Sequence, residues 1–246
     1  FFSSRRRHTR FRNVTGVQTC ALPISLIRYL MRHRHTSPFE MVEFKFHVKV
    51  PIFVARQWLR HRMASVNEMS GRYSVLPSEY YVPEIFHQQS QTNHQGSDTP
   101  VDPEADEKAH IIYSYACSDS FRAYESLLNL GCGREMARTV LPVGTMTEFY
   151  WKIDLHNLFG FLQKRMDDHA QSEIRVLAQQ MYDLIKPIVP LACEAFEDYR
   201  LGTVTFTGPE IRALRDGIPI ANKREQAEFE FKKKRLGLVN EDTVGA

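Results

Sequence analysis

Residues 60–74 read Arg60-His61-Arg62-Met63-Ala64-Ser65-Val66-Asn67-Glu68-Met69-Ser70-Gly71-Arg72-Tyr73-Ser74. Arg60, His61, Arg62 and Arg72 stand here among Ser65, Asn67, Glu68, Ser70 and Tyr73, with a glycine at 71. An arginine fork suits bidentate contacts to phosphate or carboxylate. Glycine lets a ligand come close to the backbone. Backbone N–H groups around Ser70-Gly71 can form an anion-binding nest. So many donors in one stretch predict a site for a polyanionic small molecule. The competing reading is a solvated loop with local salt bridges.

The flanking sequence places this stretch in a fold. Pro51 suits the first turn of a helix, and Ile52–Arg60 reads as one, so the motif is a loop after a helix. Before it, Val42, Phe44, Phe46, Val48 and Val50 alternate with Glu43, Lys45, His47 and Lys49, which predicts a half-buried strand over Met41–Val50. Leu26, Ile27, Leu30 and Met31 recur at helical spacing over Ser25–His33, and Ser37-Pro38 ends that helix. Residues 84–100, rich in Gln, Ser, Asn and His, read as an exposed, mobile loop. Asp102-Pro103-Glu104 opens a long helix that runs to Gly131. Arg134–Leu141 is a short helix stopped by Pro142. Thr145–Ile153, aromatic and β-branched, is a second strand. Helices follow at 156–165, 170–185 and 191–199. From Pro209 the tail is charged, and residues 223–235 read as a solvated helix or frayed end. The whole predicts one α+β domain, an antiparallel sheet packed with several helices.

Residues 1–24 stand apart. They hold Arg5, Arg6, Arg7, Arg10 and Arg12, no acidic residue and no periodicity. A transit peptide or a nucleic-acid arm has that composition. The string also resembles translated sequencing-adapter read-through, and on that reading it is foreign to the fold. The full chain of 246 residues carries 32 basic and 29 acidic residues, net +3. Without those five arginines the balance is 27 to 29, net −2, which argues against nucleic-acid binding. Cys117, Cys132 and Cys193 show no paired spacing, so no disulfide framework or zinc knuckle is expected. No apolar run has the length of a membrane span.

The spacing Arg60-His61-Arg62, seven residues, Ser70, with Ser65, Asn67, Arg72 and Tyr73 in step, resembles the signature of the flavin-dependent thymidylate synthases. The resemblance runs from about Ser25 past Gly208. It implies that dUMP is reductively methylated to dTMP, with methylenetetrahydrofolate giving the carbon and NAD(P)H supplying electrons through FAD. It implies dUMP contacts at Gln57, Arg60, Glu68, Ser70, Gly71, Arg72, Arg138 and Arg165. It implies FAD contacts at His35, Ser37, Arg60, His61, Arg62, Glu68, Asp154, His156 and His169. It also implies a cytoplasmic homotetramer whose active sites draw on several subunits, with no nucleic-acid or membrane partner. Residues 25–208 are then the catalytic domain and 209–246 a charged tail. The family carries a strand and a flavin contact ahead of the position of Ser25, so this chain is expected to lack its natural N-terminus. Gly160 stands where the family commonly has a larger polar residue, and Lys164 where it has an apolar one.

Each constellation has a plainer reading. Arg165-Met-Asp167-Asp168-His169 fits a helix junction with capping carboxylates. The functional reading makes Arg165 the activating residue, because a guanidinium beside uracil favours the N3-deprotonated anion and so enriches C5. Arg134 and Arg138 share a helix face, and the plainer reading pairs Arg138 with Glu135 or a neighbouring acid. Ser70 is read as a nucleotide ligand, since no base is dedicated to it as a nucleophile. His33-x-His35 has no third ligand at metal spacing, so no metal site is expected. No dinucleotide fingerprint or Walker loop is present. Two other classes compete: a phosphate-binding nucleic-acid protein built on Arg60, Arg62 and Arg72, and a metal-dependent hydrolase built on His33, His35 and Asp167-Asp168-His169.

Overall fold

The computed structural model describes residues 22–90 and 96–238; most of the segment read as foreign, residues 1–21, lies outside them. The chain divides into two compact units at Phe196–Glu197.

The first unit is α+β. Its elements are α1 (Leu22–Arg32), α2 (Ser37–Glu40), β1 (Glu43–Pro51), α3 (Ile52–Trp58), β2 (Ser65–Glu68), β3 (His87–Gln89), β4 (Ser97–Pro100), α4 (Pro103–Asn129), α5 (Arg134–Ala137), β5 (Met146–Asp154), α6 (Leu155–Arg165), α7 (Ser172–Ile185) and α8 (Pro190–Phe196). The main sheet is antiparallel, in the order β1-β5-β2. The expected alternation of β1 holds. Phe46 pairs with Trp151, Val48 with Phe149 and Val50 with Thr147 on the covered face.

Several elements depart from expectation. The signature stretch contains strand β2, because β5 offers a free edge and Val66 and Glu68 sit opposite Trp151 and Phe149. Ser37-Pro38 opens the short helix α2 rather than only closing α1, since proline is tolerated in a helical first turn. The expected loop 84–100 carries the antiparallel pair β3–β4. The expected helix 134–141 is α5 followed by a 3-10 turn, Arg138–Val140.

Local chemistry sets the ends. Asp102 caps α4 by accepting from the Ala105 N–H at 3.0 Å. Gly131 follows α4 at φ +84°, a conformation glycine adopts without penalty. Past α1, Arg34 takes φ +58°. The Arg34 and His35 N–H groups donate to the carbonyls of Met31 and Leu30 at 3.2 and 2.9 Å, which is a Schellman closure.

Two apolar clusters position the candidate residues. In one, Trp58 makes edge-on contacts with Phe149 and Trp151, and its ring centroid lies 4.7 Å from that of Phe161. All four are essentially buried, and burying one such ring contributes roughly 1.5–3 kcal/mol. This cluster fixes the end of α3 against α6. In the other, Phe121, Tyr124 and Ala137 pack with Leu76, Tyr80 and Leu141. There the Leu76 N–H donates to the Tyr124 hydroxyl at 3.1 Å.

The second unit is helical. A π-helical turn, Glu197–Leu201, precedes α9 (Gly208–Asp216) and α10 (Lys223–Arg235). The expected start of the tail, at Pro209, falls inside α9. α9 opens with a capping box between Thr207 and Glu210. Glu210, 3% exposed, also accepts two hydrogen bonds from Lys232 of α10, each 2.8 Å. The expected solvated helix 223–235 is therefore tied to α9 from within its own unit.

Candidate functional site

The signature stretch leaves α3 and enters β2, and its two ends join different groups of side chains. At the first end the His61 N–H donates to the Trp58 carbonyl at 3.0 Å. The His61 ring stands edge-on to Phe161, centroids 4.8 Å apart. Arg165, the last residue of α6, donates from Nε to His61 Nε2 at 3.0 Å and from Nη2 to the Gln57 carbonyl at 3.1 Å. The Gln57 side chain donates to Gln171 Oε1. So Gln57, His61 and Arg165 come together, and Gln171 joins them.

The charges here are unusual. Burial, then Arg165 and Lys164, push the His61 pKa down to about 4. Its Nε2 accepts from a guanidinium, so the ring is neutral with the proton on Nδ1. Burial lowers the Arg165 pKa. Among the described residues, no carboxylate pairs with Arg165; its partners are a neutral ring and a carbonyl. A half-buried cation with only neutral acceptors favours an anionic ligand.

At the other end, the Met69 N–H donates to the Glu148 carbonyl and continues the β2 pairing. Glu68 accepts from the Thr147 hydroxyl at 2.6 Å. Residues 70–74 form a turn: the Ser70 carbonyl accepts from the Tyr73 and Ser74 N–H groups, each at 3.1 Å. Ser70 Oγ accepts from the Arg72 N–H at 3.3 Å. Gly71 is buried, and a Cβ there would stand 3.0 Å from Leu76 Cδ1 and 3.3 Å from Arg138 Cδ. Arg138 thus packs on the signature glycine. Glu135, the alternative partner expected for Arg138, pairs instead with Arg72 at 2.5 Å. Arg134 donates to the Tyr73 carbonyl at 3.0 Å.

The remaining candidates are spread along neighbouring elements. Arg60 and Arg62 are exposed beside His61. Exposed His35 and Ser37 lie at the start of α2, which packs on α6. Asp154 caps α6, accepting from the N–H and Nδ2 of Asn157 at 2.9 and 2.7 Å, and His156 lies in that first turn. His169 donates its backbone N–H to Asp167 Oδ1 and its ring Nδ1 pairs with the same oxygen, at 2.9 and 2.7 Å. This is a local turn contact and not the helix cap of the plainer reading, since the N-cap of α7 is Gln171, with no side-chain bond. Among the described residues, no three His, Cys, Asp or Glu side chains gather as metal ligands, so the hydrolase alternative finds no metal centre there. Sequence reasoning missed Thr147, Phe161 and Gln171, and it assigned Glu135 to Arg138 rather than to Arg72. Each acts through a tertiary contact, and only Gln171 had a local signal, its place two residues after His169.

A family model described as thymidylate synthase complementing protein matches residues 3–191. The chain belongs to the flavin-dependent thymidylate synthases. A flavin-dependent thymidylate synthase of Dictyostelium discoideum is 53% identical over 215 residues, covering 86% of this chain and 71% of that protein. One from Thermus thermophilus is 53% identical over 200 residues, covering 81% of this chain and 73% of that protein. A solved UMP/dUMP methylase, PolB from Streptomyces cacaoi bound with 5-Br dUMP, superposes with a TM-score of 0.69 at 32% identity, over 74% of this chain and 82% of that one. The family match begins within the stretch read as foreign. At Gly160 an added Cβ would meet nothing within 4 Å.

Proposed function

We propose that the two ends of the signature stretch serve one nucleotide in the methylation of dUMP to dTMP. The relatives are flavin-dependent thymidylate synthases, and the reaction takes its carbon from methylenetetrahydrofolate and its electrons from NAD(P)H through FAD. Gln57 and Arg165 take the pyrimidine. Arg60, Ser70, Gly71, Arg72 and Arg138 take the phosphate, with Glu68 between them.

The observation that carries this reading is Arg165, a half-buried cation held by neutral acceptors alone. Beside uracil, such a cation favours loss of the N3 proton. The negative charge is shared toward C5, which then attacks the methylene carbon. Arg72 exchanges Glu135 for the phosphate.

The donor set fits FAD. Exposed Arg60 and Arg62 suit a diphosphate, and His61 keeps its proton on Nδ1 while Nε2 is engaged. His35, Ser37, His156, Glu68 and His169 complete the set. Asp154, already capping α6, contributes by shaping that helix start. When bound, FAD carries electrons from NAD(P)H to the transferred carbon. Assembly as a homotetramer, with active sites shared between subunits, and a cytoplasmic location belong to the same proposal. Among the described residues, no helix is long and apolar enough to cross a membrane.

The test is dTMP formation by the full chain supplied with dUMP, methylenetetrahydrofolate, NADPH and FAD, followed by chromatography. The expected result is dTMP from the natural chain and a loss on the order of a hundredfold or more for Arg165→Ala. A chain that binds FAD and dUMP yet forms no dTMP would overturn the proposal.

A further inference from the structure

We propose that His61 is a positioning residue for Arg165, whose guanidinium it holds in the one orientation that addresses the pyrimidine. This rests on the reading of Arg165 as the group that activates uracil.

An arginine side chain has four rotatable bonds, and at a helix end it is ordinarily free to follow solvent. Arg165 is the last residue of α6, yet it is fixed at two atoms. Nε donates to His61 Nε2 and Nη2 donates to the Gln57 carbonyl, at 3.0 and 3.1 Å. Two acceptors on different atoms of a planar group define its plane. The remaining N–H bonds of the fork stay available to a ligand.

His61 can do this because it is itself fixed. Its backbone N–H is held by the Trp58 carbonyl. Its ring stands on Phe161, which is fully buried and packs against Trp58 and Trp151. The acceptor is thus anchored on the core by its backbone and its ring. The chemistry of the acceptor also matters. A carboxylate here would neutralise the guanidinium, and its field would oppose ionisation of N3. A neutral imidazole orients the cation without cancelling its charge. Lys164 and Arg165 nearby, together with burial, keep the ring unprotonated. The imidazole uses Nε2 for this task, so the Nδ1–H edge stays free for a cofactor contact.

The experiment compares the natural chain with His61→Leu, His61→Gln and Arg165→Met, with FAD in saturating excess. The first readout is the ionisation of bound dUMP labelled with 15N at N3, followed by NMR against pH. The second is kcat separated from the KM for dUMP. His61→Leu has no acceptor. It is expected to raise the N3 midpoint toward that of free dUMP and to lower kcat by roughly tenfold or more. Gln can place Oε1 near the position of Nε2, so His61→Gln is expected to recover most of both losses. Suppose His61→Leu leaves midpoint and kcat within about twofold while Arg165→Met moves them: the inference about His61 falls and the role of Arg165 stands. An unmoved midpoint in Arg165→Met overturns the reading of Arg165 and this inference with it. A third measurement needs no variant. Side-chain 15N shifts of His61 in the natural chain should report the Nδ1–H tautomer, and an Nε2–H tautomer would overturn the inference whatever the variants do.

Discussion

Thr147 of β5 gives its hydroxyl proton to Glu68 of β2 at 2.6 Å, across the edge of the main sheet. Thr147 is 5% exposed and Glu68 is exposed, so a core residue fixes an exposed carboxylate of the signature stretch. Thr147→Val keeps the shape and removes the donor. Losing one hydrogen bond to a charged group costs about 1.5–3 kcal/mol when the partner stays desolvated. Glu68 is open to water, so the expected stability loss is smaller, about 1 kcal/mol. The functional effect is expected to be larger: a raised KM for dUMP as the carboxylate loses its fixed rotamer. Thermal denaturation and dUMP saturation curves check the two parts. An unchanged KM would remove Glu68 orientation from the account.

Gly71 predicts a second coupling. A Cβ there would approach Leu76 Cδ1 and Cγ at 3.0 and 3.2 Å and Arg138 Cδ at 3.3 Å. Leu76, the nearer neighbour, is held in the Tyr124 cluster and carries the overpacking, while Arg138, the freer neighbour, is displaced as well. Gly71→Ala is expected to cost about 1–2 kcal/mol of stability by overpacking. It should weaken dUMP binding by roughly tenfold, as one misplaced phosphate ligand would. Calorimetric titration with dUMP measures this, and unchanged affinity would separate Arg138 from the nucleotide.

The pattern in β1 was legible because one face is covered and the other is not, which forces a period of two. The signature stretch was legible as chemistry but not as structure. Ser65–Glu68 is short and exposed on every residue, so no burial pattern marks it. It is a strand only because β5 pairs with it. The pair β3–β4 was hidden for the same reason: its described residues are mostly polar and exposed. At the site, the family resemblance named Gln57 and Arg165 for dUMP and His61 for FAD. It did not show that Arg165 rests on His61, since 104 residues separate them. Glu135 was visible as a charge near Arg138, yet only the fold shows that it pairs with Arg72.

Arg34 occupies a left-handed position at φ +58° in the Schellman closure of α1, where glycine is the usual residue. A non-glycine residue there costs about 1–2 kcal/mol, partly offset by the extra freedom glycine has when unfolded. Arg34→Gly is therefore expected to stabilise the chain by about 0.5–1 kcal/mol, while Arg34→Ala gives no such gain. Denaturant midpoints distinguish the two. Equal midpoints would mean that the turn carries no backbone strain.

His61 gives the fold a defined response to acid. Its folded pKa is lowered from 6.5 to about 4, by burial first and then by Arg165 and Lys164. Between those values the unfolded chain takes up a proton that the folded chain refuses. Stability from this group is therefore fully present above about pH 6.5, declines as pH falls toward 4, and declines no further below that. Exposed Arg60 and Arg62 flank the ring in sequence and add no carboxylate that would reverse the sign. Protonation near pH 4 also removes the acceptor of Arg165, so order at the site is lost only where the decline in stability ends. His61→Gln cannot titrate. It is expected to flatten the stability profile between pH 6.5 and 4 relative to the natural chain, as read from denaturant midpoints at a series of pH values. A natural chain whose profile matches that of His61→Gln over this range would show that His61 is not held neutral, and the charge argument for Arg165 would fail with it.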